Sequence, residues 1–147
     1  HLLDSDVPTG IGFLKVLPKD WRKVFQNRGV TPLGKVPIFG SDQEGKGIVY
    51  DWTINEIPSA GNVMISCGGV PPEAQRAAFS EQVVGGDSGF PICMIIGNEA
   101  VLLGSWTFGY GSEAGTDTSY QTDAINTMMS QLGGGYQLTT IDLSKYY

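Results

Sequence analysis

Residues 84–91 read Val-Gly-Gly-Asp-Ser-Gly-Phe-Pro, and the interpretation of the whole chain depends on this stretch. A serine nucleophile must be held on a tight turn whose main-chain N–H groups point at the oxyanion that develops during the reaction. Gly86 permits a backbone conformation that a side chain would forbid, so its N–H and that of Ser88 can converge. We expect the Asp87 carboxylate to be buried against a cation. Glycine, aspartate and serine also form ordinary surface turns, so the motif alone does not establish a nucleophile.

The segments after this stretch have regular patterns. Pro91–Ile96 and Ala100–Trp106 are apolar runs separated by Gly97-Asn98-Glu99, which is typical of a β-hairpin with a Gly/Asn turn. A helix is predicted over Thr122–Leu132, because Thr122 is a good N-cap, apolar residues follow at helical spacing, and three glycines end the run.

Composition indicates one ordered domain over residues 1–147. Hydrophobic residues make up 41% of the chain and charged residues 16%, which is typical of globular proteins. The 21 glycines and 8 prolines are scattered between short apolar runs, which favours many turns and an all-β fold. Upstream of the motif we expect strands over residues 11–17, 36–39, 48–54 and 63–67 and a short helix over 19–28, and near the end a last strand over 136–143.

The stretch from residue 84 to residue 132 resembles the C-terminal half of the trypsin/chymotrypsin family of serine proteases. Gly-Asp-Ser-Gly at 86–89 is followed by Pro91, a strand that carries Cys93, a short turn, a strand ending in Ser-Trp at 105–106, and later Tyr120 and a helix. The resemblance implies an antiparallel Greek-key β-barrel with a C-terminal helix over 122–132. It also implies that the first barrel of the family is missing and that residues 1–20 carry the segment with the family's aspartate.

The resemblance assigns the chemistry to a few residues. Ser88 would attack the scissile carbonyl, and the amides of Gly86 and Ser88 would form the oxyanion hole. Asp6 would orient the catalytic imidazole, with Asp4 and Asp20 as rivals for that role.

The histidine is not where the family has it. The single histidine of the chain is His1, only five residues before Asp6, with no strands ahead of it. A serine is a weak nucleophile without an adjacent base. We therefore expect an N-terminal half of the protease, outside this sequence, to supply the imidazole.

The substrate side of the site also follows from the resemblance. Gln82 would lie at the base of the pocket that receives the substrate side chain, with Thr107 and Thr118 near its walls. Threonine in place of the family's glycine would narrow this pocket, so we expect substrates with small apolar side chains. Phe90 replaces the family's glycine and places a ring near the leaving group. The residues expected to bind the substrate backbone as an added strand are Ser105, Trp106 and Thr107.

Cys67 and Cys93 leave two readings open, one disulfide or two buried thiols. With a single histidine, the usual four-ligand zinc sites cannot be assembled, and the expected chemistry needs no metal or cofactor. A net charge of −6 argues against nucleic acid or an anionic membrane as a partner.

Two functions from different classes remain. One is a serine endopeptidase acting on protein or peptide substrates, secreted or carried by a virion. The other is a non-catalytic module, such as a shell or scaffold component, in which Ser88 is a relic. The absent base and the Gly-rich aromatic segment 106–111 favour the second.

Overall fold

The computed structural model describes residues 7–27, 36–45, 47–52, 55–59, 62–67, 73–109 and 113–146. Eight strands share one sheet: β1 (Lys15–Val16), β2 (Val36–Ser41), β3 (Gly47–Trp52), β4 (Asn55–Ser59), β5 (Asn62–Cys67), β6 (Pro91–Ile96), β7 (Glu99–Gly109) and β8 (Glu113–Asp117). The helices are α1 (Trp21–Asn27), α2 (Ala74–Ala77) and α3 (Thr122–Leu132), and a 3₁₀ turn covers Leu143–Lys145.

The sheet is organised around β7. Its order is β3-β2-β6-β7-β8-β5-β4, and the short β1 runs parallel to β7, with Lys15 opposite Val101. β6 and β7 form the hairpin that the sequence predicts, and their pairing continues from Ile96 opposite Glu99 to Pro91 opposite Ser105. The loop that carries Ser88 enters the sheet at the first residue of β6, so the hairpin determines where that loop lies.

The core lies against β6 and β7. Ile92, Cys93 and Met94 are all buried, although neighbouring residues of a flat strand point to opposite faces. The register shifts between Ile92 and Cys93, and both faces of β6 are covered at this point. Full burial of one large apolar side chain stabilises the folded state by about 1.5–3 kcal/mol relative to leaving that side chain exposed. The largest of them are Trp21, Trp106, Leu17, Ile92, Met94, Ile96 and Leu103.

The C-terminal helix is confirmed, but its predicted cap is wrong. Gln121 is the N-cap, and Thr122 is the first helical residue, whose hydroxyl donates to the carbonyl of Ser119 at 3.0 Å. The hydroxyl satisfies a carbonyl of the preceding turn and does not accept from the orphan amides of the helix. Gly133, at φ +88°, follows the last helical residue as expected.

The expected all-β Greek-key barrel is wrong. The chain combines helices with an open sheet whose two edges are β3 and β4, and these edges do not pair with each other among the described residues. Closing a barrel requires a particular tilt and stagger of all the strands, which the local pattern of any one strand does not contain.

Several local predictions also need correction. Of the apolar run 11–17, only Lys15–Val16 is a strand, and of 136–143 only Thr140 forms an isolated bridge, to Val16. The strands β4 and β8 and the helix α2 were not expected, because Pro58 and Gly115 interrupt the apolar alternation of the two strands.

Candidate active site

Ser88 lies on an exposed tight turn between buried flanks. Val83 on one side and Ile92 on the other are almost inaccessible, which fixes both ends of the loop. Gly86 has φ +112° and Gly89 has φ +94°, values that an L side chain adopts only with strain. The two glycines therefore let the chain reverse twice around a serine whose side chain remains accessible.

Asp87 holds this turn in place through hydrogen bonds to its buried carboxylate. Its side chain is 1% exposed, and its two carboxylate oxygens accept from the main-chain amides of Gln43 at 3.1 Å and Val84 at 2.8 Å. The expected burial is confirmed, and the expected cation stays a prediction, because no basic group among the described residues forms an ion pair with Asp87. Two main-chain amides supply the hydrogen bonds that the described residues give to this carboxylate.

The amides of the turn divide into two groups. Asp87 donates to Val84, Gly89 donates to Trp106 and Phe90 donates to Asp87, so these three amides are used inside the fold. The amides of Gly86 and Ser88 donate to no acceptor in the part of the chain that the structure describes. They are the two amides that the sequence assigns to an oxyanion hole.

The Ser88 hydroxyl donates to the carbonyl oxygen of Thr107 at 3.3 Å. A carbonyl accepts this hydrogen bond but cannot take the proton, so Thr107 positions the hydroxyl and does not activate it. The bond also ties the turn to β7, beside the bonds between Trp106 and the residues Gly89 and Phe90.

The residues expected to bind substrate backbone differ in availability. Ser105 pairs with Pro91 on one side and Thr116 on the other, and Trp106 is buried. Thr107 lies where the pairing of β7 with β8 shifts register, and its side chain is exposed. Of the three, Thr107 is the exposed one.

Gln82 and Thr118 are the two other residues expected at the side-chain pocket. Gln82 is exposed beside the buried Val83. Thr118 is half-buried, and its amide donates to the carbonyl of Leu103 at 3.0 Å, which places it next to β7. Their roles in substrate selection stay predictions.

The candidate base and its orienter are outside the described residues. This holds for His1, Asp4 and Asp6, while Asp20 is exposed at the start of α1. Cys93 is a buried free thiol, so it forms no disulfide in this structure, and the Cys67 side chain lies outside what is described. Burial raises the pKa of the Cys93 thiol, which keeps it protonated.

Gln43 is the residue of this site that the sequence did not point to. It lies in the turn after β2, and its side-chain Nε2 donates to the carbonyl of Gly85 at 3.2 Å. A Cβ on Gly86 would overlap with the end of the Gln43 side chain, and the φ of +112° is what favours glycine at this position. No signal in the sequence could have shown this, because Gln43 lies far from the motif along the chain.

The described residues contain no group of three or more His, Cys, Asp or Glu side chains able to hold a metal ion, and none of their helices is long and apolar enough to span a membrane. The chain matches no protein-family model, no curated protein and no solved structure.

Proposed function

We propose that the chain is the nucleophile-bearing part of a serine endopeptidase that hydrolyses peptide bonds through an acyl-enzyme. One observation carries the proposal: an accessible Ser88 hydroxyl shares a hydrogen-bonded tight turn with two amides, those of Gly86 and Ser88, that have no acceptor among the described residues. Amides fixed before the reaction stabilise an oxyanion without reorganising, which is why such a turn suits acyl transfer.

The proposed reaction has two halves. The Ser88 Oγ bonds to the carbonyl carbon while its proton passes to an imidazole, and the carbonyl oxygen becomes an oxyanion facing the two amides. The C–N bond then breaks, and the imidazole returns the proton to the leaving amine. A water molecule cleaves the resulting ester, which releases the carboxylate product and restores the serine. The imidazole comes from polypeptide outside the described residues, either His1 or a preceding half of the protein.

The experiment that tests the proposal is labelling with a fluorophosphonate, in which the Ser88 Oγ displaces fluoride at phosphorus. The protein is expressed from its full reading frame, and intact masses and peptide maps locate the adduct. We expect one adduct, on Ser88, absent in Ser88→Ala and retained in Ser144→Ala, a control serine that is also exposed. An unlabelled protein of unchanged mass would contradict the proposal.

A non-catalytic interaction module is the second candidate, and a specific observation favours it. Phe13 is 81% exposed and Ile11 and Leu14 are about half exposed, so the segment before β1 presents large apolar side chains to solvent. Such a segment suits contact with another polypeptide whether or not Ser88 reacts. The labelling experiment separates the two candidates, because the module predicts no adduct.

A further inference from the structure

We propose that Gln43 is a positioning residue of the oxyanion hole: its side chain holds the Gly85–Gly86 peptide in the orientation that presents the Gly86 N–H to the substrate. The inference rests on the proposed function for its catalytic meaning. Its geometric content concerns one peptide plane and is testable separately.

Hydrogen bonds hold the main chain around Gln43 in place. It lies in a tight turn in which the Gly45 amide donates to the carbonyl of Asp42 at 3.1 Å. The side chain of Asp42 is buried, and its Oδ1 accepts from the Glu44 amide at 3.0 Å. The Gln43 amide donates to the buried Asp87 carboxylate, so the turn after β2 is fastened directly to the Ser88 turn.

The Gln43 side chain then acts on the peptide that needs control. Both residues of the Gly85–Gly86 pair lack a Cβ, so rotation of the peptide between them meets little steric resistance of its own. In a trans peptide the carbonyl and the N–H point in opposite directions, and no peptide bond among the described residues is cis. By donating to the Gly85 carbonyl, Nε2 of Gln43 therefore also sets the direction of the Gly86 N–H.

Contact adds to the hydrogen bond. The amide group of Gln43 packs against the Cα of Gly86, at the place a Cβ would occupy. This packing keeps the amide group beside the Gly85 carbonyl, and a turned peptide would lose the hydrogen bond to that carbonyl, so the side chain favours one orientation of the plane. The amides of Asp87 and Gly89 are held by other bonds and do not depend on Gln43.

The test compares Gln43→Met, which keeps the length and removes the donor, with Gln43→Glu. The carboxyl introduced by Gln43→Glu can donate to Gly85 only when protonated, below the ordinary glutamate pKa of about 4.3. Gln137→Met is the matched control, because this exposed glutamine donates to atoms of α3 and of Tyr136. Crystal structures and the amide signal of Gly86 in NMR report the peptide orientation, and thermal unfolding reports the fold.

We expect the Gly85–Gly86 peptide to turn in Gln43→Met, and in Gln43→Glu at neutral pH with recovery in acid, at unchanged unfolding temperature. Fluorophosphonate labelling of Gln43→Met should be about threefold to tenfold slower, the factor that one net hydrogen bond provides. An unturned peptide in Gln43→Met overturns the inference, and so does an unchanged labelling rate when the wild-type protein is labelled. A turned peptide supports it even if the wild-type protein is unlabelled, a result that overturns the proposed function alone.

Discussion

At the scale of single residues, the buried Asp87 carboxylate stabilises the turn that carries Ser88. An ionised carboxylate is costly to bury unless hydrogen bonds replace its water shell. Asp87 receives two main-chain amides, one from its own turn at Val84 and one from Gln43, a residue distant in sequence. Its neighbour Ser88 is thereby held at the surface while Asp87 points into the protein.

We predict that Asp87→Asn lowers the free energy of unfolding by about 1–3 kcal/mol, because an NH₂ group replaces one of two acceptors and leaves a buried amide unsatisfied. The same variant should lose fluorophosphonate labelling, since the turn no longer fixes Ser88. Urea unfolding measures the first effect. Asp123→Asn is the control: its ion pair with Lys19 is largely exposed, and exposed pairs contribute little to stability. Equal losses in the two variants would contradict the prediction.

At the scale of elements, α1 is fastened to the end of β8 by a buried polar network. Arg22 bonds to Asp117 at 2.6 Å, and the Asp117 side chain is fully buried. Ser119 donates to Asp117 through both its amide and its hydroxyl, and Trp21 donates to the Ser119 hydroxyl at 3.1 Å. The guanidinium of Arg22 also lies 4.5 Å from the Trp21 ring centroid. Thr118 lies between Asp117 and Ser119 in the chain, so the network also holds this residue's main chain in place.

We predict that Arg22→Met destabilises the protein by about 3 kcal/mol, because it leaves a buried carboxylate without its cation. Adding Asp117→Asn to this variant should recover part of the loss, since the uncompensated charge is then removed. Urea unfolding of the single and double variants measures both effects. Lys23→Met, one position further along α1 and exposed, should change little. A double variant less stable than Arg22→Met would contradict this account.

At the scale of the whole molecule, Glu99 joins three parts of the chain. It begins β7, bonds to Lys15 of β1 at 2.5 Å, and accepts from the Tyr146 hydroxyl at 2.8 Å. The Tyr146 ring also packs at Gly97, where a Cβ would overlap with it. Hydrogen bonds from Lys15 and then Tyr146 hold the pKa of Glu99 below its ordinary value, and the bond to Glu99 raises the pKa of Lys15 and of Tyr146.

These shifts predict how stability depends on pH. The contribution of Glu99 is present above the ordinary glutamate pKa of about 4.3 and is lost as pH falls through its lowered pKa in the folded protein. The contributions of Lys15 and Tyr146 are present below about pH 10 and are lost as pH rises through their raised pKa values. We expect the urea midpoint to fall at both ends of the pH range and both effects to weaken in Glu99→Gln.

Two tyrosine variants separate the contributions. Tyr146→Phe should remove the tyrosine part of the alkaline effect and leave the bond between Lys15 and Glu99 in place, whereas Tyr136→Phe, at an exposed tyrosine, should leave the wild-type profile unchanged. The same pH profile in Glu99→Gln and the wild-type protein would contradict the assignment.

The features that the sequence predicted are local ones. The tight turn around Ser88, the hairpin of β6 and β7 and the bounds of α3 depend on glycines, turn residues and apolar spacing within a few positions. The N-cap of α3 was missed because the Thr122 hydroxyl has a nearby carbonyl at Ser119 to bond. The strand β8 was missed because a glycine such as Gly115 is typical of a turn when only the neighbouring residues are considered. In the structure Gly115 is required because a Cβ there would overlap with the main chain of β7.

The sequence by itself therefore determined the tight turn that exposes Ser88, the hairpin of β6 and β7 and the bounds of α3. The open edges of the sheet, the amides that hold Asp87, the contact of Gln43 with Gly86 and the pairing of Arg22 with Asp117 were decided by the tertiary structure alone. The physical reason is that each depends on segments far apart in the chain. The free energy that brings them together is the burial of a shared core, which no local pattern encodes.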